Sequence, residues 1–155
     1  MEHFLRRSAL QNERGHRSRT FLILDAASSP EKPLEIMAFF TLAMGMMRIS
    51  SSISRNKSRR LAGPFYDDDQ IVQLTPCYLI GQMGRSATSA GRISGDRILN
   101  EAMNEIRNAW DSVGGKFVRL DCEDAPGLLS LYRRNGFEFA QRNQRTGLTE
   151  MVRFL

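Results

Sequence analysis

Two segments of this chain carry residue types that suit chemistry on an anionic ligand. Residues 85–99 read RSATSAGRISGDRIL, a loop of small residues that opens a helix, and such a loop points backbone N–H groups at an anion. Residues 128–137 read LLSLYRRNGF and place Tyr132 at a fixed distance before a Gly-Phe pair. A phenol can donate a proton to a leaving group. The first segment therefore predicts an anion-binding loop, and the second places a tyrosine near the end of a helix.

The tyrosine segment resembles a motif of the GNAT superfamily, the acetyl-CoA-dependent N-acetyltransferases. Residues 131–137 (LYRRNGF) match the family's Phe-Tyr-x-x-x-Gly-Phe, including the spacing from tyrosine to glycine. The loop departs from the family's Gln/Arg-x-x-Gly-x-Gly/Ala, because residues 90–95 read AGRISG and keep only the last glycine. The resemblance covers most of the chain.

The resemblance implies an acetyl-CoA site built mainly from backbone donors. A strand over residues 79–84 pairs with the amide arm of the cofactor in this family, and residues 91–96 correspond to the pyrophosphate loop. Tyr132 corresponds to the general acid that protonates the departing thiolate, and a buried core tyrosine is the alternative interpretation. No metal site is predicted. The residues expected to bind acetyl-CoA or coenzyme A are Gln82, Met83, Gly84, Arg85, Gly91, Arg92, Ile93, Ser94, Gly95, Asp96 and Tyr132.

Charge at the loop is mixed. A carboxylate at Asp96 is unfavourable beside a phosphate. Three nearby cations, Arg85, Arg92 and Arg97, are available to outweigh it. An ordinary helix start, with Asp96 complementing the helix dipole, is the alternative. Ala125 stands where many family members carry asparagine, so one side-chain contact to the cofactor is expected to be missing.

The predicted reaction is direct attack of a primary amine on the acetyl thioester. A small-molecule amine and aminoacyl-tRNA both remain open as acceptors. The early segments, residues 4–10 (FLRRSAL) and 18–22 (SRTFL), resemble toxin-type GNAT proteins, which implies a tRNA-acetylating toxin with an antitoxin partner as one alternative. The altered loop keeps a second alternative open, a catalytically weak acyl-CoA-binding or interaction protein. The family also suggests a homodimer.

No residue stands out as a general base. Glu35, Glu123 and Asp124 lie near predicted strands, and a solvated or capping role is the alternative for each. Amine acetylation also proceeds through a water relay. His3 and His16 lie in a polar region and are expected at the surface.

Composition predicts one ordinary globular domain over residues 1–155, with 41% hydrophobic and 25% charged residues. The net charge of +5 favours polyanionic ligands, and a generic solvated surface is the alternative. The basic residues of one serine-rich stretch are candidates for contact with RNA or a 3′-phosphate, and a solvated loop is the alternative: Arg55, Lys57, Arg59 and Arg60. Asp67–Asp69 is interpreted as a solvated turn.

Cys77 and Cys122 lie in apolar contexts and are expected as reduced core cysteines. The N-terminus lacks the features of a signal peptide, and the longest apolar run is too short to span a bilayer. We therefore expect a cytoplasmic protein without a membrane partner.

Hydrophobic periodicity predicts the elements that position these residues. The predicted helices cover residues 4–14, 96–113 and 126–135, and residues 50–60 form a connector or short helix. In the second of these helices Ile98, Ala102, Ile106 and Trp110 recur every four residues, and Gly114 ends it. The predicted strands cover residues 20–25, 34–47, 75–83, 117–122, 137–140 and 150–155, and the first two form a hairpin through a turn at residues 27–33. Strands joined by helices in the second half imply parallel pairing there. The expected fold is a mixed α/β (α+β), GNAT-like domain. Its central sheet is mostly antiparallel with a parallel pair at the cofactor cleft, helices flank it, and the family's first strand is expected to be missing.

Overall fold

The computed structural model describes residues 2–25, 34–63 and 74–155. The strands are β1 (Arg19–Leu24), β2 (Ile36–Arg48), β3 (Leu74–Arg85), β4 (Phe117–Cys122), β5 (Glu138–Arg142) and β6 (Thr149–Phe154). The helices are α1 (Glu2–Phe4), α2 (Leu10–Arg14), α3 (Arg55–Ala62), α4 (Gly95–Val113) and α5 (Pro126–Arg134). A π-helical stretch, Leu5–Ala9, joins α1 to α2, and a 3₁₀ turn, Ala87–Ser89, precedes α4. The turn predicted at residues 27–33 and the one at Asp67–Asp69 lie outside the described residues.

The six strands form one sheet in the order β1-β2-β3-β4-β6-β5. The β1–β2, β4–β6 and β5–β6 pairs are antiparallel, and the sheet contains one parallel pair. That pair is β3–β4, because β2 and β3 run antiparallel: the Ser86 N–H donates to the Met37 carbonyl, and Gly45 lies against Leu79. The predicted mixed, mostly antiparallel sheet with flanking helices is confirmed.

The prediction of parallel pairing between the strands that flank α5 is wrong. β4 and β5 run in the same direction, but β6 lies between them and pairs antiparallel with both. The reason is the hairpin between β5 and β6, since the chain turns back at once and the last strand takes the place beside β4.

The chain divides into two compact units. Unit 1 comprises Met1–Ala43 and Ile80–Ala109, and unit 2 comprises Met44–Leu79 and Trp110–Leu155. The strands β2 and β3 and the helix α4 each contribute residues to both units. A single functional domain over residues 1–155 stays a prediction.

Aromatic stacking organises the sheet of unit 1. Phe21 on β1 faces Phe40 on β2, with ring centroids 4.9 Å apart, and Phe4 stacks on Phe39 at 5.5 Å. The buried face of α4 follows the predicted helical spacing through Ile98, Leu99, Ala102, Met103 and Ile106. Burial of this face fixes the position of α4, and the predicted cofactor loop leads into the first turn of this helix.

The last turn of α4 differs from the sequence prediction. Trp110 continues the apolar spacing but is 39% exposed, and its indole N–H donates to the Gly115 carbonyl at 2.9 Å. Gly114 ends the helix as predicted, with a φ of +70° that favours glycine, and its N–H donates to the Trp110 carbonyl. The indole therefore links the last turn of α4 to the glycine pair that follows the helix.

The core of unit 2 is packed around α3, which the sequence left open as a connector or short helix. Ser54 begins this helix and accepts a hydrogen bond from the Lys57 N–H at 3.4 Å. The core consists of Met47, Ile49, Leu61, Ala62, Cys77, Phe117, Ala140 and Val152. Cys77 and Cys122 are both buried and free, which confirms the prediction of reduced core cysteines.

Candidate functional site: the loop before helix α4 and Tyr132

The loop between β3 and α4 has one buried anchor. Ile93 is 3% exposed, and its carbonyl accepts a hydrogen bond from the Arg85 guanidinium at 3.0 Å. Ser89 is also buried, and its carbonyl accepts hydrogen bonds from the N–H groups of Arg92 and Ile93 at 3.0 and 3.4 Å. Arg85 therefore stabilises the loop through this hydrogen bond and also places a positive charge next to it.

Ser94 is the N-cap residue of α4. Its hydroxyl accepts a hydrogen bond from the Arg97 N–H at 3.2 Å, and its carbonyl accepts from the Ile98 N–H at 3.2 Å. Gly95 and Asp96 occupy the first two helical positions, whose N–H groups precede the hydrogen-bond ladder of the helix. An N-terminus of this kind suits an anion, because the N–H groups and the helix dipole both favour negative charge.

Gly91 gives the loop its turn. Its φ of +84° lies in the region that favours glycine, and a Cβ built there meets no atom within 4 Å. The space beside this residue is therefore open. A glycine backbone next to open space suits the close approach of a ligand.

The four predicted residues on β3, Gln82 to Arg85, lie at its carboxyl end. The Gln82 N–H donates to the Thr41 hydroxyl at 2.8 Å. Gly84 packs so closely on Phe39 that an added Cβ would lie 2.5 Å from the ring. Met83 is half-buried between them. Since β3 has twelve residues and β4 six, β4 can pair along only about half of β3.

Arg92 is held by two carboxylates that the sequence did not pair with it. Its guanidinium lies 3.0 Å from Glu35 and 2.5 Å from Asp25. Glu35 also accepts from the Thr88 hydroxyl at 3.2 Å. The hydrogen bond to Glu35 is the main cause that raises the pKa of Arg92. Arg92 is therefore partly neutralised before any phosphate is bound.

Glu35 was a candidate general base, and the structure places it in this ion-pair cluster instead. Asp25 was not singled out by the sequence analysis. The signal that could have found it is the predicted hairpin, since the Asp25 N–H donates to the Glu35 carbonyl at 3.0 Å next to the β1–β2 pair.

Tyr132 lies on α5 in unit 2. Its side chain is 8% exposed, and its ring meets Phe137 edge-on with centroids 6.1 Å apart. Burial, followed by the neighbouring Cys122, raises the pKa of the Tyr132 phenol. A raised pKa keeps the phenol protonated at neutral pH, which a proton donor requires.

Gly136 ends α5 with a φ of +82°, and the Phe137 N–H donates to the Tyr132 carbonyl at 3.0 Å. The Tyr-to-Gly spacing of the motif is therefore the length of the last helical turn and its cap. The ten predicted loop and strand residues lie in unit 1, where the contacts above bring them together, and Tyr132 lies in unit 2.

The remaining candidates have other contacts. Asp124 forms an exposed ion pair with Arg142, and Glu123 is exposed. His3 and His16 are exposed, as predicted.

The basic stretch around α3 is a helix with internal contacts rather than a solvated loop. Lys57 donates to the Phe139 carbonyl. Arg60 lies 3.1 Å from Glu138 and stacks over the Phe154 ring at 3.9 Å. Two of the four predicted RNA-contacting cations thus stabilise unit 2.

No three His, Cys, Asp or Glu side chains within residues 2–25, 34–63 and 74–155 are grouped closely enough to hold a metal ion. In the same part of the chain, none of the helices has the length and apolar character needed to cross a membrane.

Solved structures with this arrangement include a bacterial toxin that superposes with a TM-score of 0.71 over 99% of this chain and 76% of its own, at 15% identity. A KacT mutant with one tyrosine replaced by phenylalanine superposes at 0.70 over 96% of this chain and 78% of its own, at 16% identity. AtaT complexed with acetyl-methionyl-tRNAfMet superposes at 0.68 over 95% and 78%, at 15% identity. KacT and AtaT are GNAT-fold acetyltransferase toxins. This chain has the GNAT fold.

No protein-family model matches this GNAT-fold chain, and no curated protein matches it in sequence. Sequence identities of 13–16% to the solved structures establish the fold alone. Residue roles in this GNAT-fold chain must therefore be argued from its own geometry.

Proposed function

We propose that this chain is a single-domain N-acetyltransferase that uses acetyl-CoA and acetylates a primary amine by direct attack. The observation that carries the proposal is the loop before α4, which anchors Ile93 in the core and presents the capped helix start at Ser94. The open space beside Gly91 fits the approach of a pyrophosphate to this backbone. The carboxylates around Arg92 oppose such binding and set a limit on its strength.

The residues of this chain would then have separate roles in binding acetyl-CoA and in transferring the acetyl group. The backbone at Gly95 and Asp96 would hold the pyrophosphate, and the end of β3 from Gln82 to Arg85 would present the backbone that aligns the amide arm. When bound, acetyl-CoA supplies the activated acetyl thioester. Tyr132, protonated at neutral pH, would donate its proton to the leaving sulfur.

Aminoacyl-tRNA is the acceptor that the solved neighbours favour. AtaT has been solved with acetyl-methionyl-tRNAfMet, AtaTR with acetyl-CoA, and KacTA with DNA. By analogy, the second candidate is a tRNA-acetylating toxin paired with an antitoxin, and a homodimer stays a further prediction. The net charge of +5 suits a nucleic-acid substrate.

Calorimetric titration with acetyl-CoA, and separately with coenzyme A, tests the cofactor site. Micromolar binding, about 8 kcal/mol, is expected. Gly95→Val should weaken that binding, because a branched side chain crowds the first turn of α4. Gly127→Val is the matched control, since Gly127 also lies in the first turn of a helix and an added Cβ there meets no atom within 4 Å.

If Gly95→Val and Gly127→Val weaken acetyl-CoA binding equally, the loop before α4 is not the cofactor site. The acceptor is then sought by release of coenzyme A thiol with a panel of amines and by transfer of labelled acetyl to aminoacyl-tRNA. Binding without turnover on either class would identify an acyl-CoA-binding protein instead of an enzyme. Growth arrest on expression, relieved by Tyr132→Phe, would favour the toxin.

A further inference from the structure

Unit 2 contains a polar cavity of about 690 Å³ that none of the predicted acetyl-CoA residues lines. Its walls come from the end of β2, the middle of β4 and the β5–β6 hairpin. We call it the arginine cavity, because four arginines line it: Arg48, Arg119, Arg142 and Arg145. Its volume is in the range of sites that take small ligands.

A buried hydrogen-bond network forms the inner wall of the arginine cavity. Glu150 is 2% exposed and accepts hydrogen bonds from the side-chain amides of Gln141 at 2.6 Å and Asn143 at 2.8 Å. Gln141 also accepts from the Ser50 N–H at 2.9 Å and donates to the Arg48 carbonyl at 2.6 Å. The wall is therefore fixed in place before a ligand arrives.

One arginine of the cavity is rigidly oriented. Arg119 has 13% of its side chain exposed, makes two hydrogen bonds to Asp121 at 2.8 and 2.9 Å, and donates to the Met46 carbonyl at 3.1 Å. Its planar group is thus aligned at the wall, and Asp121 partly neutralises its charge.

The hairpin arginines stand at the rim. Asn143 accepts hydrogen bonds from the N–H groups of Arg145 and Thr146 at 3.0 and 3.1 Å, which orders the backbone of the turn. Arg142 is exposed and forms an ion pair with Asp124. An exposed pair of this kind is weak and can exchange its carboxylate for a stronger anion.

The charge of the arginine cavity is positive even when its carboxylates are counted. Four guanidinium groups line it, against one carboxylate in the wall, Glu150, and two that pair with lining arginines, Asp121 and Asp124. Glu150 is covered by the amides of its neighbours, so a ligand meets mainly guanidinium groups. Arginine pairs bidentately with phosphate oxygens.

We infer that the arginine cavity binds the phosphate group of a nucleotide. The ligand class is a phosphate ester, carried either by a free mononucleotide or by an RNA strand. This site goes beyond the proposed acetyl-transfer function, since it uses different residues and requires no acetyl-CoA.

Titration of the full chain with adenosine 5′-monophosphate, adenosine and a short single-stranded RNA tests the site. The double substitution Arg142→Gln with Arg145→Gln should weaken binding of the phosphate ligands by roughly tenfold or more, because each lost guanidinium removes charge-assisted hydrogen bonds. Arg142→Lys with Arg145→Lys should retain part of the affinity. Arg107→Gln is the matched control, since Arg107 lies on α4 and bonds to Asn104.

If the Arg142→Gln, Arg145→Gln variant loses binding to both phosphate ligands, the inference holds and a free mononucleotide can supply the phosphate. If this variant loses binding to the RNA alone, the inference holds and the RNA supplies the phosphate. Adenosine binding as tightly as the monophosphate, or an equal loss in the Arg107→Gln variant, overturns it. The Gly95→Val variant separates the two proposals, because it should lose acetyl-CoA and keep the RNA. Unchanged thermal unfolding of the double variant confirms that the fold is intact.

Discussion

Removing the hydroxyl of Tyr132 is the sharpest test of the proposed chemistry. Tyr132→Phe deletes one oxygen from a side chain that is 8% exposed and leaves the edge contact with Phe137 in place. The loss of one hydroxyl should change the free energy of unfolding by no more than about 1 kcal/mol, or roughly 2–4 °C in melting temperature. Loss of turnover can therefore be separated from loss of fold.

The expected kinetic effect is large. A positioned proton donor contributes roughly 10²–10⁴-fold to a rate, and a hundredfold loss equals about 2.7 kcal/mol of activation free energy. Because burial raises the pKa of the phenol above its ordinary value, the acid form persists across neutral and mildly alkaline pH. The turnover of the unmodified chain should therefore not fall over that range through ionisation of Tyr132.

Thiol release from acetyl-CoA, with and without an amine acceptor, measures the effect. Tyr78→Phe is the matched control, because it deletes another buried hydroxyl, one that donates to the Gly114 carbonyl. Affinity for coenzyme A should be the same in both variants. Equal turnover in Tyr132→Phe and the unmodified chain would remove Tyr132 from the mechanism.

Three further predictions follow from contacts in the two units. Gly84→Ala should lower the free energy of unfolding by about 1–3 kcal/mol in denaturant titration, because the new Cβ overlaps the Phe39 ring, and an unchanged midpoint would contradict that packing. Glu35→Gln should tighten coenzyme A binding, more at low salt than at high salt, because it removes a carboxylate from Arg92; weaker binding would mean that Glu35 mainly positions the loop. Burial raises the pKa of the Cys77 thiol to about 11, so a thiol reagent at mildly alkaline pH should leave Cys77 unmodified until the chain is unfolded, and rapid labelling of the folded chain would refute its burial.

The sequence predicted the parts of the fold that depend on local periodicity. The four-residue spacing of Ile98, Ala102 and Ile106 located α4 to within one residue, and Gly114 marked its end. The motif around Tyr132 likewise located α5 and its glycine cap. These two helices can be predicted because the residues that define each of them are close together in the sequence.

Contacts between segments that are distant in the sequence could not be predicted from local periodicity. Asp25, Glu35 and Arg92 meet only after a hairpin and a loop have folded, and no local pattern joins them. The arginines of the arginine cavity are spread from residue 48 to residue 145. Because α5 joins β4 to β5, the sequence predicted that these two strands pair in parallel. In the structure β6 lies between them, and no local pattern indicates which strand of the β5–β6 hairpin lies beside β4.

The insertion of β6 also bears on how the chain folds as it is synthesised. Residues 117–142 supply β4, α5 and β5, but among the strands that the structure describes β5 pairs only with β6, which is made afterwards. Domains begin to fold from their N-terminal segments while the chain is still growing. On the ribosome, the helix that carries Tyr132 therefore leads to a strand with no partner until residues 149–154 emerge, and the proposed proton donor is among the last groups to be fixed in place.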